Sequence, residues 1–183
     1  MKSISLFLRY WPVAAVCALA LVLTGAVDEA VAGSKKIKGA TEKRVARGRY
    51  LVAIAGCNDC HTPAFMQGNT NVPESEWLQG SQIGFAGPWG TSYPWNLRTM
   101  VQRMSEKDWI AFVQSYKALP PMPAESVRSM TNADLGAIYE FIKSLGPAGD
   151  EAPASLTPGT PPSTPYVDFT PKFPGSTTGT LTP

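Results

Sequence analysis

Cys57-Asn58-Asp59-Cys60-His61 is the stretch on which the reading of this chain turns. Two thiols three positions apart and an imidazole directly after them form the pattern C-x-x-C-H, the sequence form of covalent c-type haem attachment. The spacing has a chemical reason. Thiols placed so on one helical turn can add to the two vinyl groups on neighbouring edges of the macrocycle. The next residue then brings a ring nitrogen under the iron as the proximal ligand. The residue types are scarce, since the 183-residue chain holds three cysteines and a single histidine. Cys17 lies in the apolar N-terminal stretch, so the motif takes every other Cys and His.

Three other chemistries use cysteine pairs. A thioredoxin-like redox pair is also C-x-x-C, but its setting is a βαβ pattern, whereas helix and loop flank Cys57 and Cys60. Structural zinc takes four Cys or His ligands, one more than Cys57, Cys60 and His61 supply. A disulfide between Cys57 and Cys60 would close a loop too short to add much stability. Haem attachment is the favoured reading, with a haem-free thiol–disulfide protein as an alternative.

Upstream of the motif, Val45, Tyr50, Leu51 and Ile54 mark an apolar side, and a first helix is expected from about Thr41 to Gly56. Residues 33–40 read as a short basic leader, and residues 1–32 as an export signal. Lys2 and Arg9 form its positive start, Ala14 to Val27 its apolar run, and Ala30-Val31-Ala32 its cleavage site. The run is shorter than the ~20 residues of a spanning helix, so a membrane is involved only if the segment stays uncleaved. Export places the rest of the chain in the periplasm or on the outer face of the cytoplasmic membrane.

Downstream, a long stretch to Met104 mixes glycines with Trp77, Phe85, Trp89, Tyr93 and Trp95 and shows neither strand nor helix periodicity. A loop of this length usually wraps something or belongs to a site. A second helix is expected from Glu106 to Tyr116, with Ser105 as N-cap and Asp108 at the capping-box position. Leu119-Pro-Pro-Met-Pro123 cannot be helical, because its prolines impose extended geometry. A last helix starts behind the Thr131 cap, buries Leu135, Ile138, Tyr139, Ile142 and Leu145, and stops at Gly146-Pro147. Residues 148–183 turn abruptly to Pro, Thr, Ser and Gly, as either a free tail or an arm docked through Leu156, Tyr166, Val167, Phe169 and Phe173. The domain limits are therefore 1–32, 33–147 and 148–183.

With these elements in place, residues 41–146 resemble the class I c-type cytochromes, single-haem bacterial domains that serve periplasmic dehydrogenases and oxidases. The resemblance is carried by Gly48-Arg-Tyr-Leu51, by Cys57 to His61, by Asn96-Leu97, by Pro120-Pro-Met-Pro123 and by Asp134 to Leu145. It implies an all-α, cytochrome c-like fold of three to four short helices around one haem c, with a Gly- and aromatic-rich loop and a Pro-rich C-terminal extension. It also implies that Met122 is the distal iron ligand and that Gly48 lies near Tyr139, where the first and last helices cross. The residues themselves lend support. One histidine rules out two-histidine ligation within a monomer, and of the mature methionines only Met122 sits in a rigid, Pro-flanked strap. Trp89, Tyr93 and Arg98 are further pocket candidates, as hydrogen-bond donors to a haem propionate.

His/Met ligation fills both axial positions and raises the reduction potential. The expected role is thus electron transfer, as a shuttle or as the cytochrome subunit of a dehydrogenase or oxidase system, and not catalysis. A haem enzyme or gas sensor would require an open distal site. A net charge of +2 does not suggest nucleic acid. Lys35, Lys36, Lys38, Lys43, Arg44, Arg47 and Arg49 crowd the start of the mature chain, either as a surface that steers an acidic redox partner or as a solvated helix face.

Overall fold

The computed structural model describes residues 35–172. The export signal, Cys17 and the end of the C-terminal extension lie outside the described residues. The chain divides into two units, one up to Lys43 and one from Arg44 onward. Of the first unit, residues 35–43 are helical, and the Thr41 hydroxyl donates to the Ile37 carbonyl within that turn. Among the described residues, no helix is long and apolar enough to cross a membrane.

Helix α1 covers residues 35–54, so the segment read as a basic leader is already helical. It stops two residues before the sequence suggested, because Gly56 takes the left-handed conformation (φ 69°) that ends a helix and restarts the chain into α2, Cys57–His61. Four helices follow the loop region: α3 (Leu97–Gln102), α4 (Glu106–Ser115), α5 (Ala124–Arg128) and α6 (Asn132–Leu145). The Ser105 hydroxyl accepts the Asp108 amide at the start of α4, and the Thr131 hydroxyl accepts the Asp134 amide at the start of α6.

In the second unit, α1 and α6 cross at Gly48. A Cβ there would lie 1.9 Å from the Ala137 carbonyl oxygen and 2.8 Å from the Phe141 Cβ. The contact thus falls on Ala137 and Phe141, on either side of Tyr139 in sequence. Around this crossing, Val52, Leu78, Val101, Leu135 and Ile142 are fully buried. Trp109 donates its indole N–H to the Leu135 carbonyl at 3.1 Å, which ties α4 to α6. Arg44–Glu106 at 2.5 Å and Arg47–Asp134 at 2.9 Å add ion pairs between α1 and the same two helices. Both are half-exposed, and such pairs are worth only ~0–1 kcal/mol.

The fold is not all-α, which corrects the expectation from the sequence. Within the long aromatic loop, β1 (Gly84–Gly87) and β2 (Gly90–Ser92) form an antiparallel hairpin in the register Phe85 to Ser92 and Gly87 to Gly90. The extension adds β3 (Tyr166–Asp168), parallel to β1 with Phe85 opposite Val167, to give a mixed sheet in the order β2-β1-β3. On the other edge, Thr91 and Leu156 exchange backbone hydrogen bonds of 3.0 and 2.8 Å. The arm therefore clasps the hairpin from both sides. Gly90 (φ 99°) permits this, since a Cβ there would meet the Leu156 carbonyl at 2.0 Å. Phe169 packs on Phe85 and Trp89, with centroids 5.7 and 6.1 Å away. The strands have three or four residues each, and one partner lies about 80 positions downstream, so no alternation could mark them in the sequence.

Gly48→Val should cost about 3 kcal/mol in denaturant unfolding, because the obstacle is backbone and cannot rotate away. Gly39→Ala, with nothing within 4 Å, should be neutral or stabilise by up to ~1 kcal/mol. In the arm, hydrogen bonds from Thr170 and the Lys172 ammonium pull the Asp168 carboxyl down to about 2. A lowered folded-state pKa helps the arm at pH above the ordinary ~3.9 and is lost as pH falls through about 2. NMR signals of Tyr166 and Phe169 should therefore report loosening of the arm between those values, and Asp168→Asn should abolish the pH dependence.

Candidate functional site

The cleft lies in the second unit, between α2, α4, α6 and the Pro-rich strap. Its cavity volume is about 160 Å³, and it is partly open to solvent. Cys57, Cys60 and His61 border it from α2. Trp109, Phe112 and Val113 line it along one face of α4, Tyr116 just past its end, and Leu135, Ile138 and Ile142 along α6. The walls are mostly apolar.

His61 is buried, and its Nδ1 lies 2.8 Å from the Trp95 carbonyl oxygen. A carbonyl only accepts, so Nδ1 carries the hydrogen and Nε2 keeps its lone pair. Desolvation lowers the imidazole pKa, against a smaller upward pull from that hydrogen bond. The ring is thus held neutral, oriented and in the tautomer a metal ligand requires. Its backbone is fixed as well, since the Gly80 amide donates to the His61 carbonyl at 2.8 Å.

A buried polar chain braces the same turn. The Thr62 hydroxyl donates to Asn58 Oδ1 at 2.7 Å and accepts the Leu78 amide at 2.9 Å. Leu78, with φ 62°, adopts a left-handed conformation rare for a branched side chain and costing ~1–3 kcal/mol. It is held there by complete burial and by the Leu97 amide, which donates to its carbonyl at 3.1 Å. Asn58 and Thr62 were not singled out in the sequence, because a polar residue inside or beside the motif gives no sign of where its partner lies.

Cys57 and Cys60 are free thiols at the cleft wall. Burial pushes Cys57 up to about 11, and burial also raises Cys60, with Asp59 adding to both. A redox-catalytic pair shows the opposite, a lowered thiol pKa. Among the described residues, no three of His, Cys, Asp and Glu gather as a metal-binding group. The cleft thus combines apolar walls, two thiols and one buried imidazole whose Nε2 keeps its lone pair.

Met122 borders the same cleft and remains 39 % exposed. Met100 and Met130 also border it but pack against the core cluster. This makes Met122 the thioether least committed to packing. Tyr93 is on the wall, with its hydroxyl 2.9 Å from that of Thr164 in the arm.

Trp89 and Arg98 are not among the cleft residues. The Trp89 indole donates to the Phe85 carbonyl at 3.2 Å inside the hairpin. The Arg98 guanidinium donates to Gly146 O at 2.6 Å, to Ser75 O at 2.5 Å and to Leu145 O. It caps the end of α6, where a cation complements the helix dipole. The arginines of the basic stretch are engaged too: Arg44 and Arg47 as above, and Arg49 with Glu74.

The aromatic wall was missed as a site. Trp95, Phe112 and Tyr116 form one cluster, with centroids 4.9 to 5.9 Å apart. The four-residue spacing of Phe112 and Tyr116 was a usable signal, but nothing local brings Trp95 to them.

In chain prepared with free thiols, alkylation should be slow at pH 8 and rise with pH toward a midpoint near 11 for Cys57, followed by mass spectrometry. A Cys57 midpoint below 8 would contradict this environment. Comparison with family models, curated proteins and solved structures yields no match to this chain, so the site is read from its own residues and geometry.

Proposed function

We propose that this is an exported electron-transfer protein carrying one covalently bound haem c. The observation that carries the reading is the buried imidazole of His61, locked by the Trp95 carbonyl so that Nε2 keeps its lone pair, beside two thiols on an apolar cleft. The resemblance to class I c-type cytochromes points the same way.

Cys57 and Cys60 would hold the group through thioether bonds, His61 would be the proximal iron ligand, and Met122 the distal one. When bound, haem supplies a reversible one-electron couple. The chain's own part is to position it and to tune it. The Trp95 carbonyl steadies the imidazole, and the polar chain from Asn58 to Leu78 holds the turn on which the thiols sit. The apolar faces of α4 and α6 would surround the group with a low-dielectric wall, which would disfavour charge and so raise its potential. With His61 and Met122 both holding the iron, the bound group would serve electron transfer and not substrate binding. The protein would then act as a carrier for partner proteins, dehydrogenase or oxidase subunits, outside the cytoplasmic membrane.

The test is expression in a host with c-type maturation machinery, then a haem stain on a denaturing gel and a reduced pyridine spectrum. Haem that survives denaturation, with the spectrum of two saturated vinyl groups, is the expected result. The Cys57→Ala/Cys60→Ala double variant should lose all of it. A colourless, well-folded, exported protein would overturn the reading and leave the cysteine pair as a thiol–disulfide site.

A further inference from the structure

We propose that Ser92 is a positioning residue for Met122, holding the Pro-rich strap against the hairpin so that the thioether is presented from fixed backbone. The inference rests on the haem reading above. The strap between α4 and α5 has few means of fixing itself. Pro120, Pro121 and Pro123 have no N–H to donate. The amides on either side of Pro123 are spent locally, Met122 N to Leu119 O at 3.3 Å and Ala124 N to Met122 O at 2.8 Å. Support must come from outside, and the Ser92 hydroxyl supplies it by donating to the Pro120 carbonyl at 2.6 Å. At the base of the same loop, Arg128 donates to the Tyr116 carbonyl at 2.6 Å.

A methionine has three rotatable bonds and little intrinsic preference for one pose. Since Met122 is 39 % exposed, packing leaves it partly free, and the backbone anchor matters correspondingly more. Ser92 itself is well held. It stands opposite Phe85 in the hairpin, and Phe85 stands opposite Val167 of the arm. The hairpin that braces the strap is thus backed by the C-terminal extension, which gives that extension a role at the site.

Ser92→Ala, Ser92→Thr and Met122→Ala are compared in the haem-loaded, full-length protein with two readouts. One is the weak ferric absorption of a thioether–iron bond. The other is hydrogen exchange at the Met122 and Ala124 amides. Ser92→Ala should speed exchange at both amides roughly five- to tenfold, as loss of one side-chain hydrogen bond would, and should weaken the thioether band. Ser92→Thr, which keeps the hydroxyl, should restore both. If Met122→Ala leaves the spectrum unchanged, the ligand assignment itself fails, whatever Ser92→Ala does. If the band depends on Met122 but survives Ser92→Ala undiminished, the role of Ser92 is overturned, with or without faster exchange.

Discussion

The close approach of α1 and α6 at Gly48 governs where everything else can sit. With no side chain between them, the two backbones meet at van der Waals distance, and the Ala137 carbonyl occupies the space a Cβ would take. That contact places the end of α1, and so the turn carrying Cys57, Cys60 and His61, beside the face of α6 that bears Ile138 and Ile142. The same helix binds Trp109 through the Leu135 carbonyl and thereby sets α4 as the opposite wall.

Within this frame the site is held by polar groups that are buried and satisfied. An unpaired buried donor or acceptor costs ~1–3 kcal/mol, so the chain Asn58–Thr62–Leu78 and the pair His61–Trp95 are constraints as well as bonds. Each fixes a rotamer, and each joins the motif turn to residues 16 to 34 positions away. The left-handed Leu78 belongs to the same system, since its strain is tolerated only where burial and two backbone bonds over-determine it.

The C-terminal extension changes the character of the fold. Pro- and Thr-rich sequence has too few apolar groups to form a core of its own, yet residues 148–168 run against the domain by borrowing one. Asn96 holds the Ala148 and Asp150 carbonyls at 2.8 and 3.1 Å, Arg98 grips the end of α6, and the hairpin offers both edges. Prolines suit such an arm because they lower the entropy lost on ordering. Burial of Arg98 without a carboxylate partner is tolerated because three carbonyls accept its hydrogens, at the expense of a somewhat lowered pKa.

What the sequence determined by itself was local. The motif Cys57 to His61, the Ser105 and Thr131 caps, the apolar faces of α4 and α6, and the break at the prolines around Met122 are each written within a few residues, since caps, periodicity and prolines act through neighbours in the chain. Most of the candidate site was legible for the same reason, because two thiols and an imidazole on one turn announce themselves. What only the tertiary structure decided was everything that pairs distant segments. The hairpin and β3 could not be read, because strands of three or four residues depend on partners that their own pattern does not identify. The carbonyl partners of Arg98 and Trp89 were hidden for the same cause: a side chain's chemistry says what it can bind, whereas burial and backbone geometry decide which carbonyl reaches it first. The contact of Gly48 with Ala137 and Phe141, and the meeting of Trp95 with His61, likewise followed from three-dimensional packing, in which the free energy is shared among contacts that no single segment contains.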